Sequence, residues 1–234
     1  MAYCGPATFR EVRSDANQSE VIDMGGYRDQ DMETVSRGYR IHYVDAGSGP
    51  ALVLLPGLMA SVARWRALGY IDDFARDFRV LAVDPLGHGL SEKPHDANAY
   101  LLEDCAKDVL AVLDHAGVDR ADVWGYSRGT YIAVALAAAA PHRVLSLVVG
   151  GGRLFLRPEA DSAMPVRHRN WREWAAALRE GGWSRYWTVT GVQDRATQAA
   201  LEAGQDPLAV AAYLDGSSRS PILSSGFEIG RAHV

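Results

Sequence analysis

The stretch DVWGYSRGTY, residues 122–131, sets a serine between two glycines where the apolar pattern changes period. Upstream, ADVWGYS (121–127) is a short apolar run of strand type, and downstream RGTYIAVALAAAAPHRV (128–144) is helical text. Ser127 therefore closes a strand and Arg128 opens a helix. A turn that sharp forces the serine into a strained backbone conformation and brings main chain close, which gives Gly125 and Gly129 a steric reason. The helix start aims free N–H groups and a partial positive charge at the space above the serine, so the Arg128 N–H is a candidate oxyanion donor. A Gly-flanked serine is often only a turn. The strand, elbow and helix in that order make Ser127 a candidate nucleophile.

Reading outward, ALVLLPG (51–57) is a continuous apolar run stopped by Pro56 and Gly57, as expected of a strand buried on both faces of a parallel sheet. The loop that follows, PGLMAS, puts the Leu58 N–H in reach as a second oxyanion donor. RVLAVDP (79–85) repeats the buried-strand pattern, and LSLVVGGG (145–152) reads as a further strand. Between these runs, SVARWRALGYIDDFARDF (61–78) predicts one crossover helix with Trp65, Leu68, Ile71 and Phe74 on its inner face. LLEDCAKDVLAVLDHAGV (101–118) predicts another, with Leu102, Cys105, Val109 and Val112 inward, Asp104 and Asp108 toward water, and Gly117 as its C-terminal stop. METVS and YRIHYVDAG alternate as half-buried strands and predict a hairpin entering the sheet. Four buried strands alternating with three helices give an α/β fold with a doubly wound, mostly parallel sheet.

In a chain of 234 residues the expected organisation is an irregular leader (1–30), the α/β core (31–154), a helical cap (155–222) and a tail (223–234). A net charge of -5 with scattered Lys and Arg gives no electrostatic footprint for nucleic acid or an anionic membrane, so neither partner is expected. Cys4 and Cys105 have no metal-ligand spacing and make no disulfide framework, so a reduced compartment fits best; no metal and, separately, no cofactor is expected. No export signal or membrane span is evident, and the expected location is cytoplasmic.

Taken together, YRIHYVDAGSGPALVLLPG, VLAVDPLGHGLSEKP and VWGYSRG resemble the α/β-hydrolase fold family, in the branch with a helical cap, over about residues 31 to 215. The family usually has His-Gly where this chain has Pro56-Gly57, which leaves the Leu58 amide in place. The resemblance implies a serine hydrolase acting through an acyl-enzyme on a small, largely apolar ester, thioester or lactone. Ser127 would attack the carbonyl, and the N–H groups of Leu58 and Arg128 would hold the oxyanion. Dehalogenases and epoxide hydrolases of this fold carry aspartate at the nucleophile position, and Ser127 argues against both. The Arg128 side chain lies beside the nucleophile, where it could meet a substrate anion, but its outward placement on the helix makes solvent the expected environment.

The family's order is Ser, then Asp or Glu, then His, with the last two on loops after further strands. No such pair follows the cap text here, so the catalytic acid and base are expected to be absent. The last six residues, IGRAHV (229–234), resemble a translated sequencing adapter, with Glu228 from the same junction, and the natural protein is expected to continue past about Phe227 without the last sheet strands being represented here. His88 in DPLGHG and His168 in the cap are weaker candidates for a base. His42, His95, His115 and His142 are expected to be packed or solvated, and His233 falls in the adapter-like tail. Asp84 is expected to hold the turn after its strand, and Asp194 and Asp215 to serve the surface or helix starts. The cap tryptophans, Trp171, Trp174, Trp183 and Trp187, are expected mainly to pack cap helices. The alternative reading is a non-catalytic ligand-binding protein on a hydrolase core.

Overall fold

The computed structural model describes residues 29–151 and 164–219, with side chains from residue 170 onward in the second segment. The expected leader, the tail and the adapter-like ending lie almost wholly outside these residues. Six strands form one sheet: β1 (Asp29–Ser36), β2 (Tyr39–Gly47), β3 (Ala51–Leu55), β4 (Arg79–Val83), β5 (Ala121–Tyr126) and β6 (Val144–Gly150), in the order β1-β2-β4-β3-β5-β6. The β1–β2 and β2–β4 pairs are antiparallel, and β4, β3, β5 and β6 run parallel. The mixed but mostly parallel sheet expected from the apolar runs is present.

Alternation along the strands divides the core between two faces. Val53, Leu55, Leu81, Val83 and Val123 face one layer, built on α3 (Leu102–His115) and α4 (Arg128–Ala139). Leu52, Leu54, Val80 and Ala82 face the other, covered by α1 (Val62–Ala67) and α2 (Tyr70–Phe74) through Trp65 and Ile71. Helices on both faces explain why residues 52–55 of β3 and 80–83 of β4 are apolar at every position. The described residues also hold α5 (Met164–Thr190), kinked at Gly181 and Gly182, then α6 (Arg195–Glu202) and α7 (Pro207–Ser217). Ala175, Leu178, Tyr186 and Trp187 of α5 pack with Val210, Ala211 and Leu214 of α7 and with Met59. No helix among the described residues is long and apolar enough to cross a membrane.

Two sequence expectations need correction. The crossover between β3 and β4 is two short helices, because Gly69 adopts φ 78°, and the break turns Leu68 outward to 59% exposure. Asp108 does not face water: it is 2% exposed and takes bonds from Arg37 Nε at 3.0 Å and Nη2 at 2.8 Å. Arg37 sits 71 residues earlier, at φ 51° in the two-residue β1–β2 turn, so no local periodicity could announce the pair. Gly117 ends α3 as expected, at φ 66°.

Candidate active site

Strand β3 pairs with β4 on one side and β5 on the other, so the chain reverses its direction of winding at β3. In open α/β sheets ligands bind outside the carboxyl ends of the strands at such a switch point. The loop after β3 carries Pro56, Gly57 and Leu58, and β5 ends at Ser127.

Ser127 has φ 50° and ψ −110°, a conformation that L residues avoid and that persists only when its surroundings enforce it. Hydrogen bonds and close main-chain packing enforce it. Its N–H donates to the Gly150 carbonyl at 2.6 Å, and its own carbonyl accepts from the Thr130 N–H at 3.2 Å. The buried Thr130 hydroxyl donates to the Gly125 carbonyl at 2.9 Å and lies 3.2 Å from that of Gly150. A Cβ on Gly125 would lie 2.5 Å from the Gly129 carbonyl oxygen, and one on Gly129 would run into the Leu55 carbonyl. Both glycines are therefore imposed by close main-chain packing, as the sequence indicated. On the opposite side, a Cβ on Gly57 would lie 3.2 Å from the Ser127 Cβ, which shows how closely the β3 loop abuts the serine.

Leu58, Ser127 and Arg128 line one cavity of about 230 Å³ with Tyr131, Asn170, Trp171, Trp174, Tyr213, Leu214 and Ser217. Neither the Leu58 N–H nor the Arg128 N–H is taken by a carbonyl or side chain among the described residues. Helices α5 and α7 form the roof. Trp171 and Trp174 thus face the cavity, whereas Trp183 and Trp187 stack with ring centroids 5.8 Å apart and pack against Tyr186. The expectation that the four tryptophans mainly pack holds for the second pair and is incomplete for the first.

The Arg128 side chain overturns its expectation. It is not in solvent but 4% exposed, with its guanidinium carbon 5.2 Å from the Trp171 and Tyr213 ring centroids and 5.6 Å from Tyr131. Nε donates to the Tyr213 hydroxyl at 3.2 Å. Tyr213 itself is pushed up to about 12 by burial, so it remains a neutral phenol.

No histidine with a described side chain lines the cavity. His88 is buried beside the site, its ring 4.6 Å from that of Tyr213, and burial lowers it to about 4. His42 pairs with Asp84 at 2.8 Å, His115 with the Tyr43 hydroxyl at 2.8 Å, and His95 with Asp206 at 2.9 Å. Each is occupied away from the serine. Asp84 holds its turn as expected, accepting from the N–H groups of Val62 and Leu90. Asp194 caps α6, and Asp215 pairs with Arg179. The side chain of His168 and all of His233 lie outside the described set. Among the described residues no cluster of ligating side chains could hold a metal.

A family model for the alpha/beta hydrolase fold matches residues 50–207, more than half the chain. The chain belongs to the alpha/beta hydrolase fold family. This alpha/beta hydrolase fold chain is 35% identical over 129 residues to bifunctional epoxide hydrolase 2 of Mus musculus, covering 55% of the chain and 23% of that protein. It is 37% identical over 122 residues to the 2-hydroxymuconate semialdehyde hydrolase of Pseudomonas sp. (strain CF600), covering 51% of the chain and 42% of that protein. The matched region is thus less than half the length of these relatives. Among solved structures, the bottromycin epimerase BotH superposes with a TM-score of 0.67 at 27% identity, over 88% of this chain and 78% of that one. The enol-lactonase of Burkholderia xenovorans LB400 shares the fold with a TM-score of 0.66 at 22% identity, over 81% and 74%.

Proposed function

We propose that this protein is a serine hydrolase that cleaves a small ester, thioester or lactone through an acyl-enzyme on Ser127. The observation that carries the reading is the φ 50° serine, locked at the strand-to-helix elbow and opening into a cavity with two unclaimed main-chain N–H groups. In this reaction the Ser127 hydroxyl oxygen adds to the substrate carbonyl and loses its proton to a base. The oxyanion accepts hydrogen bonds from the Leu58 and Arg128 N–H groups, the C–O or C–S bond to the leaving group breaks, and the leaving group takes the proton. Water then repeats the addition and releases the acid. The proton acceptor is taken to be a residue other than the described histidines, because none of their side chains lines the cavity.

The family match and the relative named 2-hydroxymuconate semialdehyde hydrolase support a hydrolase of small molecules. The relative named an epoxide hydrolase supports hydrolysis without bearing on the ester, thioester or lactone class. That no histidine among the described side chains lines the cavity favours a second reading, a binding protein that retains the hydrolase core. A fluorophosphonate probe, which reacts only with an activated serine, separates the two. Labelling that disappears in Ser127→Ala supports the hydrolase. A folded protein that takes no label sinks that reading in favour of binding alone.

A further inference from the structure

Arg128 carries a positive charge into a site that contains no other ionisable charge among its described lining residues. Burying a guanidinium is costly unless it is paired and hydrogen-bonded. Here the three surrounding rings compensate in part by cation–π attraction, and Nε has the Tyr213 hydroxyl. The two terminal nitrogens, Nη1 and Nη2, are buried and have no hydrogen-bond partner among the described residues. They form the end of a planar fork whose geometry matches a carboxylate bidentately. The rings of Trp171, Tyr131 and Tyr213 hold that fork in place, so little side-chain entropy remains to be lost when an anion arrives.

We propose that the Arg128 fork is a carboxylate subsite, and that the substrate is a small ester, thioester or lactone bearing a free carboxylate beside the bond cleaved at Ser127. The proposal deepens the hydrolase reading, on which the word substrate rests. The cavity is small, about 230 Å³, below the roughly 300–1,000 Å³ of pockets for larger ligands, so carboxylate and scissile carbonyl must be close together in the molecule. Arg128 then has two separate duties. Its main-chain N–H serves the oxyanion, and its side chain orients the acid at the other end. The aromatic walls, Trp171 and Trp174, remain for the carbon chain between them.

The test uses Ser127→Ala in the full chain, so that nothing is turned over, and compares monomethyl succinate with dimethyl succinate by titration calorimetry near neutral pH. A hydrogen-bonded charge of this kind predicts that the monoanion binds about 10- to 100-fold more tightly than the diester. Arg128→Met, combined with Ser127→Ala, removes that preference while keeping the stem's volume. Should this variant not fold, Arg128→Lys retains the charge without the fork and is expected to leave only a several-fold preference. Equal affinity for the two esters, no binding of either, or an undiminished preference in the folded Met or Lys variant overturns the carboxylate subsite. The outcome is separable from the hydrolase reading. Serine labelling with no ester preference refutes the subsite alone, and a clear preference without labelling refutes the nucleophile alone.

Discussion

His88 offers the sharpest test of how the interior beside the site is built. Its ring is 1% exposed, its Nδ1 meets only the Leu86 carbonyl at 3.3 Å, and its Nε2 has no partner among the described residues. Burial, with smaller contributions from the charges of Arg128 and Lys93, depresses it from 6.5 to about 4 against the opposing pull of Asp84. Between those values the unfolded chain binds a proton that the folded chain refuses, so stability falls as the pH falls from 6.5 toward 4. At about 1.4 kcal/mol per pH unit, the loss attributable to this one ring approaches about 3 kcal/mol by pH 4. His42 acts in the other direction. Its own burial would lower it, but the hydrogen bond and charge of Asp84, then Asp31, outweigh that and raise it. Its contribution is complete below 6.5 and is lost as the pH rises through the raised value, so the two histidines together place a stability maximum near 6.5. Urea unfolding of the wild type and His88→Gln at several pH values between about 4 and 8 measures the effect. Glutamine does not titrate, so any penalty from its own burial is the same at every pH, and only the slope differs. The variant should lose about 3 kcal/mol less than the wild type on acidification. Parallel curves for the two proteins would refute the depressed histidine.

Two further outcomes follow from the geometry. Replacing Ser127 by glycine removes the Cβ from a φ 50° position, so Ser127→Gly should unfold at a free energy about 1 kcal/mol above Ser127→Ala in urea titration, with labelling lost in both. Equal stability would mean that the elbow stores no strain. Asp108→Ala deprives the Arg37 fork of its bidentate partner in a half-buried setting, and should cost about 2 kcal/mol; a loss below about 0.5 kcal/mol would show that solvent replaces the pair.

Much of the architecture was legible because strands buried on both faces leave a record that no other element leaves in such short runs. ALVLL and VLAV are apolar throughout since one set of alternate residues meets α3 and α4 and the other meets α1 and α2. The GYSRG elbow was legible for a related reason: the two glycines are demanded by main chain within a few residues or in the adjacent strand. The crossover after β3 misled, because periodicity placed Leu68 on an inner face and gave too little weight to Gly69, which stops the helix one residue later.

The side-chain environments were a different matter. Asp108 reads as a solvent position on its own helix and is buried only because Arg37 reaches it from the β1–β2 turn. Arg128 opens α4, where a side chain leans back over the helix start rather than out from its flank. That start faces the carboxyl edge of the sheet, and α5 and α7 close over it with Trp171 and Tyr213, about 40 and 85 residues later in the chain. The sequence by itself determined the alternating fold and the elbow at Ser127, because both follow from local backbone geometry and burial on two faces. Only the tertiary structure decided that the neighbouring cation lies inside the cavity, because its surroundings are assembled from segments far apart in the chain.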